Sequence, residues 1–445
     1  MKDRRVVITG LGIVCPAGMN ADEVYQSLLA GRSGISRIEA FDPSGFDSQV
    51  GGQVGRLKMG DFVPRGYRKA TKVMARDIEL AVAASHEAVR DARLQTKCLV
   101  ERKEDDETHA IDPTRFGANI GAGLICADLT ELAEALATAT DGDGEFDIRK
   151  WGSDGMTNLT PLWLLKFLPN MLACHVTIVH DAQGASNTIT CGEASSHLAI
   201  GEAFRTISDG AADICICGGA ESKLNPMGLM RQSLLKRLAA DGNDDPASAC
   251  KPFDAKRSGT VISEGAGLII LEALEHAERR GARIYGELIG FGAGANIKSW
   301  SQPDTDGRAV AVAVEAALAD AGVTANDVEL IVAFGTGIPD CDLAEARGLR
   351  AAMGNRATDV PTVAWKGGLG NNGAGSGAID FAAALMAGHT GKIPPSQNVE
   401  QVDPDCGLNV LTGEPAALHP KVVLSAAYAL SGGQTAALVF RPNEQ

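Results

Sequence analysis

No run of about 18 consecutive apolar residues occurs in this chain, so no membrane-spanning helix is expected. Met1-Lys-Asp-Arg-Arg leads straight into a predicted strand without an apolar leader core, which points to the cytoplasm. The ten cysteines show no Cys-x-x-Cys spacing. That fits a reducing compartment and argues against a structural metal. His86, His175, His180 and His197 lack ligand-like spacing and read as ordinary packed or hydrogen-bonded side chains. Positive charge is in deficit: 41 basic against 56 acidic residues leave a net charge of −15. A balance of that sign disfavours nucleic acid and anionic membrane as partners. No low-complexity stretch or linker separates independent domains.

What is present is an alternation of apolar strands and helical stretches, the mark of an α/β sheet fold. Strands are predicted at Val6–Gly10, Phe116–Ile120, Ile214–Gly218, Gly267–Leu271, Val328–Ala333, Thr362–Ala364, Val422–Leu424 and Ala436–Phe440. Helices are predicted at Ala21–Ala30, Lys69–Ala92, Ala127–Thr138, Ala194–Ser208, Ala309–Ala321, Asp342–Met353 and Ala378–Ala387. The 52 glycines suit many tight strand-to-helix turns. Cys215 and Cys217 share one face of a predicted strand and read as core. Glu101–Thr114 and Thr140–Thr157 read as polar surface insertions. Arg65, Arg68, Lys69, Lys72 and Arg76 recur at helical spacing, which predicts a basic helix face. That face is either simply solvated or a docking patch for an acidic partner.

Several motifs give the chain a family resemblance. They are Arg5-Val-Val-Ile-Thr-Gly-Leu-Gly-Ile-Val-Cys-Pro-Ala-Gly18, Leu29-Ala-Gly-Arg-Ser-Gly-Ile35, Gly184 to Ala203, Ala212-Asp-Ile-Cys-Ile-Cys-Gly-Gly-Ala-Glu221, and Pro252-Phe-Asp254 with Glu264-Gly-Ala-Gly267. In that order they resemble the β-ketoacyl synthases of the thiolase superfamily. The resemblance implies an α/β, thiolase-like five-layered αβαβα fold of two pseudo-duplicated halves, placed at residues 1–252 and 253–445. No internal repeat is visible in the residues themselves. It also implies a dimer made through the nucleophile strand region, with itself or with a partner ketosynthase, and acyl carrier protein or acyl-CoA as the other partner. No cofactor is implied.

The family's condensation uses a cysteine thiolate at a helix N-terminus and two histidines that donate to developing enolate charge. Here the frames persist and the groups do not. The cysteine position, nine residues after Gly184, is Glu193, with Cys191 two residues too early. The His-Gly-Thr frame reads Phe334-Gly335-Thr336, followed by Asp342 and Glu345. The Lys-x-x-x-Gly-His frame keeps Lys366 but ends in Asn371. The C-terminal glycine loop reads Leu430-Ser431-Gly432-Gly433-Gln-Thr435, with Ser431 where the family carries a gating phenylalanine. Phenylalanine donates no hydrogen bond, and asparagine shuttles no proton near neutral pH.

Glu193 has three readings: a carboxylate favoured by the following helix N-terminus, worth roughly 0.3–1 kcal/mol and paired with Lys366; a general base or anionic gate; or an acylated residue. Cys191 reads as a packed strand-end residue. Lys366, Asp342 and Glu345 read as a salt-bridge network behind the site. These losses resemble chain length factors, silent ketosynthase homologues that pair with an active ketosynthase, and Phe334-Gly-Thr-Gly-Ile-Pro339-Asp-Cys-Asp342-Leu-Ala-Glu345-Ala-Arg347 is close to their form. The leading expectation is therefore a non-condensing subunit that shapes an acyl tunnel for a partner ketosynthase in fatty acid or polyketide biosynthesis. Two alternatives stay open: an atypical active synthase or acyltransferase using Glu193 or Cys191, and a non-catalytic binder of acyl carrier or acyl thioester.

Overall fold

The computed structural model describes residues 4–299, 301–430 and 433–444. In chain order, the strands of the main sheet are β1 (Val6–Val14), β2 (Phe116–Ala122), β3 (Ser186–Ile189), β4 (Ile214–Ser222) and β5 (Glu264–Ala273). They continue as β6 (Gly286–Ala295), β7 (Leu330–Val332), β8 (Pro361–Val363), β9 (Asn409–Val410), β10 (Val423–Tyr428) and β11 (Gln434–Pro442). The eleven strands run β9-β8-β7-β10-β11-β6-β1-β5-β4-β2-β3. On one side of the centre, β1 and β4 pair antiparallel with β5, while β2 and β3 continue parallel to β4. On the other, β6 and β10 pair antiparallel with β11, while β7 and β8 continue parallel to β10. The same pattern has been laid down twice. The halves meet where Val6, Val7 and Ile8 pair antiparallel with Leu288, Glu287 and Gly286. In strand order β5 completes the first half and β6 opens the second. The division placed at 252/253 lies in the loop ahead of β5.

The helices complete the layers. They are α1 (Ala21–Leu29), α2 (Arg76–Asp91), α3 (Leu129–Thr138), α4 (Met171–His180), α5 (Ser195–Ser208), α6 (Pro226–Leu234), α7 (Arg308–Ala321), α8 (Pro339–Met353) and α9 (Ser376–Thr390). Helices α2 and α4 cover the first half of the sheet, and α7 and α8 cover the second. Between them α5 and α9 touch strands of both halves, so the five αβαβα layers are all present. Small residues set the spacing of the layers. A Cβ at Gly12 of β1 would lie 2.0 Å from the Ala84 carbonyl oxygen of α2. A Cβ at Gly292 of β6 would lie 2.2 Å from that of Ala313 on α7. Glycine on the first strand of each half, facing alanine on the helix that covers it, is the residue-level trace of the duplication. On α5, a Cβ at Gly201 would meet the Phe291 ring of β6 at 2.3 Å, which brings the middle layer against the second half.

Strands β4, β5 and the core of β11 are buried on both faces, and Cys215 and Cys217 lie together in the central core as expected. Strand β6, interrupted by Gly290, Gly292 and Gly294, was not anticipated. The expected helix Lys69–Ala92 is shorter than its pattern, because buried Met74 takes extended backbone and α2 opens only at Arg76. The preceding residues form two short 3-10 turns, Arg65–Tyr67 and Ala70–Val73. The five basic residues therefore share no helix face. Arg76 turns inward, donating to Glu264 at 2.9 Å and to the Val54 carbonyl at 2.7 Å. Arg65, Arg68, Lys69 and Lys72 remain exposed. No helix among the described residues is long and apolar enough to cross a membrane.

Candidate functional site at the nucleophile turn

The chain leaves β3 and enters α5 through the tight turn Gly192–Ala194, made possible by the left-handed backbone of Gly192 (φ 58°). Ser195 pins this turn: its hydroxyl donates to the Gly192 carbonyl at 2.6 Å and accepts from Cys191 N–H at 2.8 Å. The turn directs Glu193 inward, leaving it 3% exposed. There its Oε1 pairs with Lys223, which follows β4, and its Oε2 accepts from Leu430 N–H at 3.0 Å. Burial alone would raise the Glu193 carboxyl. The Lys223 ammonium and the N–H groups of Leu430 and Glu193 itself outweigh it and hold the group down to about 2. Burial likewise works against the Lys223 ammonium, but Glu193 and Glu221 keep its pKa above the ordinary value. Glu221, raised by burial, accepts from Ala374 N–H at 2.7 Å.

The expected pairing of Glu193 with Lys366 is thus replaced. Lys366 instead donates to Asp380 at 2.6 Å, and its Nζ lies 3.6 Å from the centre of the Phe334 ring. Phe334 is fully buried and packs edge-on against Tyr428, with ring centres 5.2 Å apart. The expected Lys366–Asp342–Glu345 salt-bridge network is also replaced, because both carboxylates are engaged by backbone. Glu345 accepts from Phe334 N–H at 2.6 Å and Gly335 N–H at 2.9 Å. Asp342 accepts from Thr336 N–H at 2.7 Å and Phe253 N–H at 2.8 Å. The two acids hold the loop that carries Phe334. Asn371 caps its own turn: Oδ1 accepts from Gly373 N–H at 3.0 Å and from the Ser376 hydroxyl at 3.4 Å.

Glu193, Phe334, Asn371 and Lys366 are all buried and linked at one remove. The segment from Tyr428 to Leu430 runs from the Phe334 ring to the Glu193 carboxylate. A Cβ at Gly373 would lie 2.8 Å from Lys223 Cε, and Gly373 N–H is the one that Asn371 accepts. Arg65, Arg68 and Lys69 stand apart on the surface, with no hydrogen bond or ion pair to this cluster among the described residues. Ser431 and Gly432 lie outside the described residues. Gly433 accepts from Asn296 N–H at 3.1 Å through its carbonyl. Cys191 is half-buried, its thiol is raised by burial, and its Sγ has no hydrogen-bond partner among the described residues. His197 sits on α5 one turn after Glu193, donating to or accepting from Ser425 at 2.9 Å, and burial pushes it down to about 3. His86 meets Glu104, His175 meets Tyr67, and His180 meets Ser85 and Thr96. No group of three metal-ligating side chains occurs among the described residues.

Sequence reasoning missed Lys223 as the partner of Glu193, and did not single out Leu430 N–H as a donor to its carboxylate. The readable signal was Glu221-Ser222-Lys223, a charged pair closing an otherwise apolar strand in a position too buried for solvent.

The chemistry of this centre is narrow. A carboxylate held by an ammonium is a poor acyl carrier, and the nearby His197 imidazole is already engaged by Ser425.

Comparison with known proteins matches residues 3–277 to the β-ketoacyl synthase N-terminal domain and residues 285–400 to the β-ketoacyl synthase C-terminal domain. The chain is 34% identical to 3-oxoacyl-[acyl-carrier-protein] synthase 2 of Synechocystis sp., over 99% of both chains. It is 31% identical to the ketoacyl synthase alpha subunit of the tetracenomycin polyketide synthase of Streptomyces glaucescens, over 99% of this chain and 98% of that one. Among solved structures, a type II polyketide ketosynthase in complex with its acyl-carrier protein overlays with a TM-score of 0.83 at 29% identity, covering 99% of this chain and 100% of that one. The ishigamide ketosynthase/chain length factor overlays with a TM-score of 0.82 at 27% identity, with the same coverage. Fold, motifs and full-length matches agree that this chain belongs to the β-ketoacyl synthase family.

Proposed function

We propose that the chain is a non-condensing, chain-length-factor-like member of its family, acting beside a partner ketosynthase in fatty acid or type II polyketide synthesis. The observation that carries this reading is the state of the nucleophile position: its side chain is a buried carboxylate already engaged by Lys223 and Leu430. Phe334 and Asn371 support it, since the first offers no donor and the second turns its carbonyl to its own turn. The similarity to proteins named as type II ketosynthase subunits and as a ketosynthase/chain length factor points the same way.

In this reading the chain works in the cytoplasm and pairs through the open edge of β3, the last strand of the sheet, where Ser186 and Asn187 are exposed. Exposed Leu124, Leu162, Leu164 and Ile178 on neighbouring segments supply apolar surface for such a contact. An acyl carrier would dock at Arg65, Arg68 and Lys69, exposed cations on a chain of net negative charge.

The test is reconstitution with a ketosynthase that carries Cys-His-His, an acyl carrier and malonyl donor, followed by product analysis and intact-mass spectrometry of both chains. The expected result is product only when both chains are present, with the acyl adduct confined to the ketosynthase. Condensation by this chain alone, or an acyl adduct on Cys191 or Glu193, refutes the reading.

A further inference from the structure

The nucleophile turn holds more than a substituted side chain. Two donors hold the Glu193 carboxylate: Lys223 Nζ and Leu430 N–H at 3.0 Å. Leu430 is gripped from its other side as well. Its carbonyl accepts from Arg237 Nη2 at 2.6 Å, and the same nitrogen donates to the Ser301 carbonyl at 2.7 Å. Lys223 and Arg237 are 7% and 8% exposed. Glu221 is also close to Lys223, and Gly373 packs tightly against both side chains. A Cβ at Gly373 would stand 2.0 Å from Glu221 Oε2. An unpaired ammonium in such a place is costly, and so is an unmet N–H. The donor set is therefore complementary to one chemical class, a small carboxylate.

We propose that this turn is a carboxylate receptor occupied from within: Glu193 is its internal ligand, Lys223 is the positioning residue, and Leu430 N–H carries the hold to the C-terminal loop. Any ligand oxygen reaching these donors must first displace Glu193. The receptor stands whether or not the chain serves a partner ketosynthase, and it concerns binding alone, with no bond made or broken.

The test uses the full chain. Glu193→Ala deletes Cγ, the carboxyl carbon and two oxygens, which are the heavy atoms of acetate. Melting temperature is followed as sodium acetate or propionate replaces chloride at constant ionic strength. The variant is expected to melt lower than the parent by roughly 5 °C or more, and acetate should raise it along a saturating curve. The parent and the double variant Glu193→Ala/Lys223→Met should show only the small, non-saturating rise that an excluded anion gives any folded protein. A variant indifferent to acetate, or a double variant that responds equally, overturns the proposal. Should Glu193→Ala fail to fold in chloride, refolding yield becomes the readout. Recovery in acetate then supports the receptor, and equal loss in both salts overturns it.

Discussion

On the proposed reading Glu193 stands at the nucleophile position, and Glu193→Cys gives the sharpest trial of the site. Glu193→Cys removes the partner of Lys223, which is only 7% exposed. Leaving one member of a buried pair uncompensated costs about 3–5 kcal/mol, so a lowered melting temperature is expected. Part of that cost returns if the introduced thiol ionises, because an adjacent ammonium and a helix N-terminus both favour the thiolate. Loading by an acyl donor thus becomes feasible. On the proposed reading condensation does not, because Phe334 and Asn371 would stand in the two histidine frames. One transition-state donor is worth roughly 10²–10³ in rate. Two missing donors leave a deficit on the order of 10⁴–10⁶. Acyl transfer to the variant is read by intact-mass spectrometry, and ketoacyl product by chromatography with malonyl thioester supplied. An adduct without product is the expected outcome. Product formed within about a hundredfold of an active ketosynthase's rate would refute the reasoning.

The Glu193 carboxyl, held at about 2 against an ordinary 4.5, contributes stability that is fully present above about pH 4.5 and lost as pH falls toward 2, on the order of 3 kcal/mol. Denaturant titrations of the parent and of Glu193→Gln should therefore converge as the solution is acidified from about pH 6 to pH 3; parallel curves would contradict the pairing. Gly292→Ala forces a Cβ to 2.2 Å from the Ala313 carbonyl oxygen, and should cost several kcal/mol in a denaturant titration; a neutral result would deny the close packing of β6 on α7. Reversing Arg65, Arg68 and Lys69 to glutamate together should weaken carrier-protein binding at least tenfold at low salt and leave the melting temperature within about 2 °C; unchanged affinity in a titration would move the docking patch elsewhere.

The motifs made the family legible, because they are local: glycine turns, a helix opening, an acidic pair eight residues past a loop. The fold followed from them. The duplication was hidden, since its trace is Gly12 against Ala84 and Gly292 against Ala313, contacts between residues far apart in the chain and alike in nothing but size. The order of motifs along the chain is what assigns Glu193, Phe334 and Asn371 to the proposed catalytic frames. Their partners could not be assigned that way. Charge alone made Lys366 the natural counterion for Glu193, yet Lys366 lies behind Phe334 with Asp380 and Lys223 takes the carboxylate. Pairing between buried charges depends on which strand end reaches which turn, and a linear pattern carries no such distance. The basic stretch misled for a related reason. Its helical spacing is real, but buried Met74 holds extended backbone and stops the helix from growing toward Arg65.

On the proposed reading, the surroundings of Phe334 keep the centre more than one substitution away from condensation. Its ring is fully buried, with the Lys366 ammonium 3.6 Å from the ring centre, a contact worth roughly 0.5–2 kcal/mol. In Phe334→His the introduced imidazole would face that ammonium in a dry site. Burial and the neighbouring positive charge both disfavour protonation, so its pKa should fall below the ordinary 6.5. His197, buried nearby and under the same Lys366 charge, is already pushed down to about 3. The new imidazole should stay neutral across the physiological range, with a loss of stability of about 1–3 kcal/mol if its second nitrogen finds no partner. Nitrogen-15 chemical shifts of labelled imidazole between about pH 5 and pH 8 report the protonation state directly. A neutral ring throughout is the expected result, and the combined Glu193→Cys/Phe334→His chain should still lack the second donor at Asn371. A ring that titrates near 6.5 would mean that Lys366 does not stand over it, and the account of this side of the centre would fall.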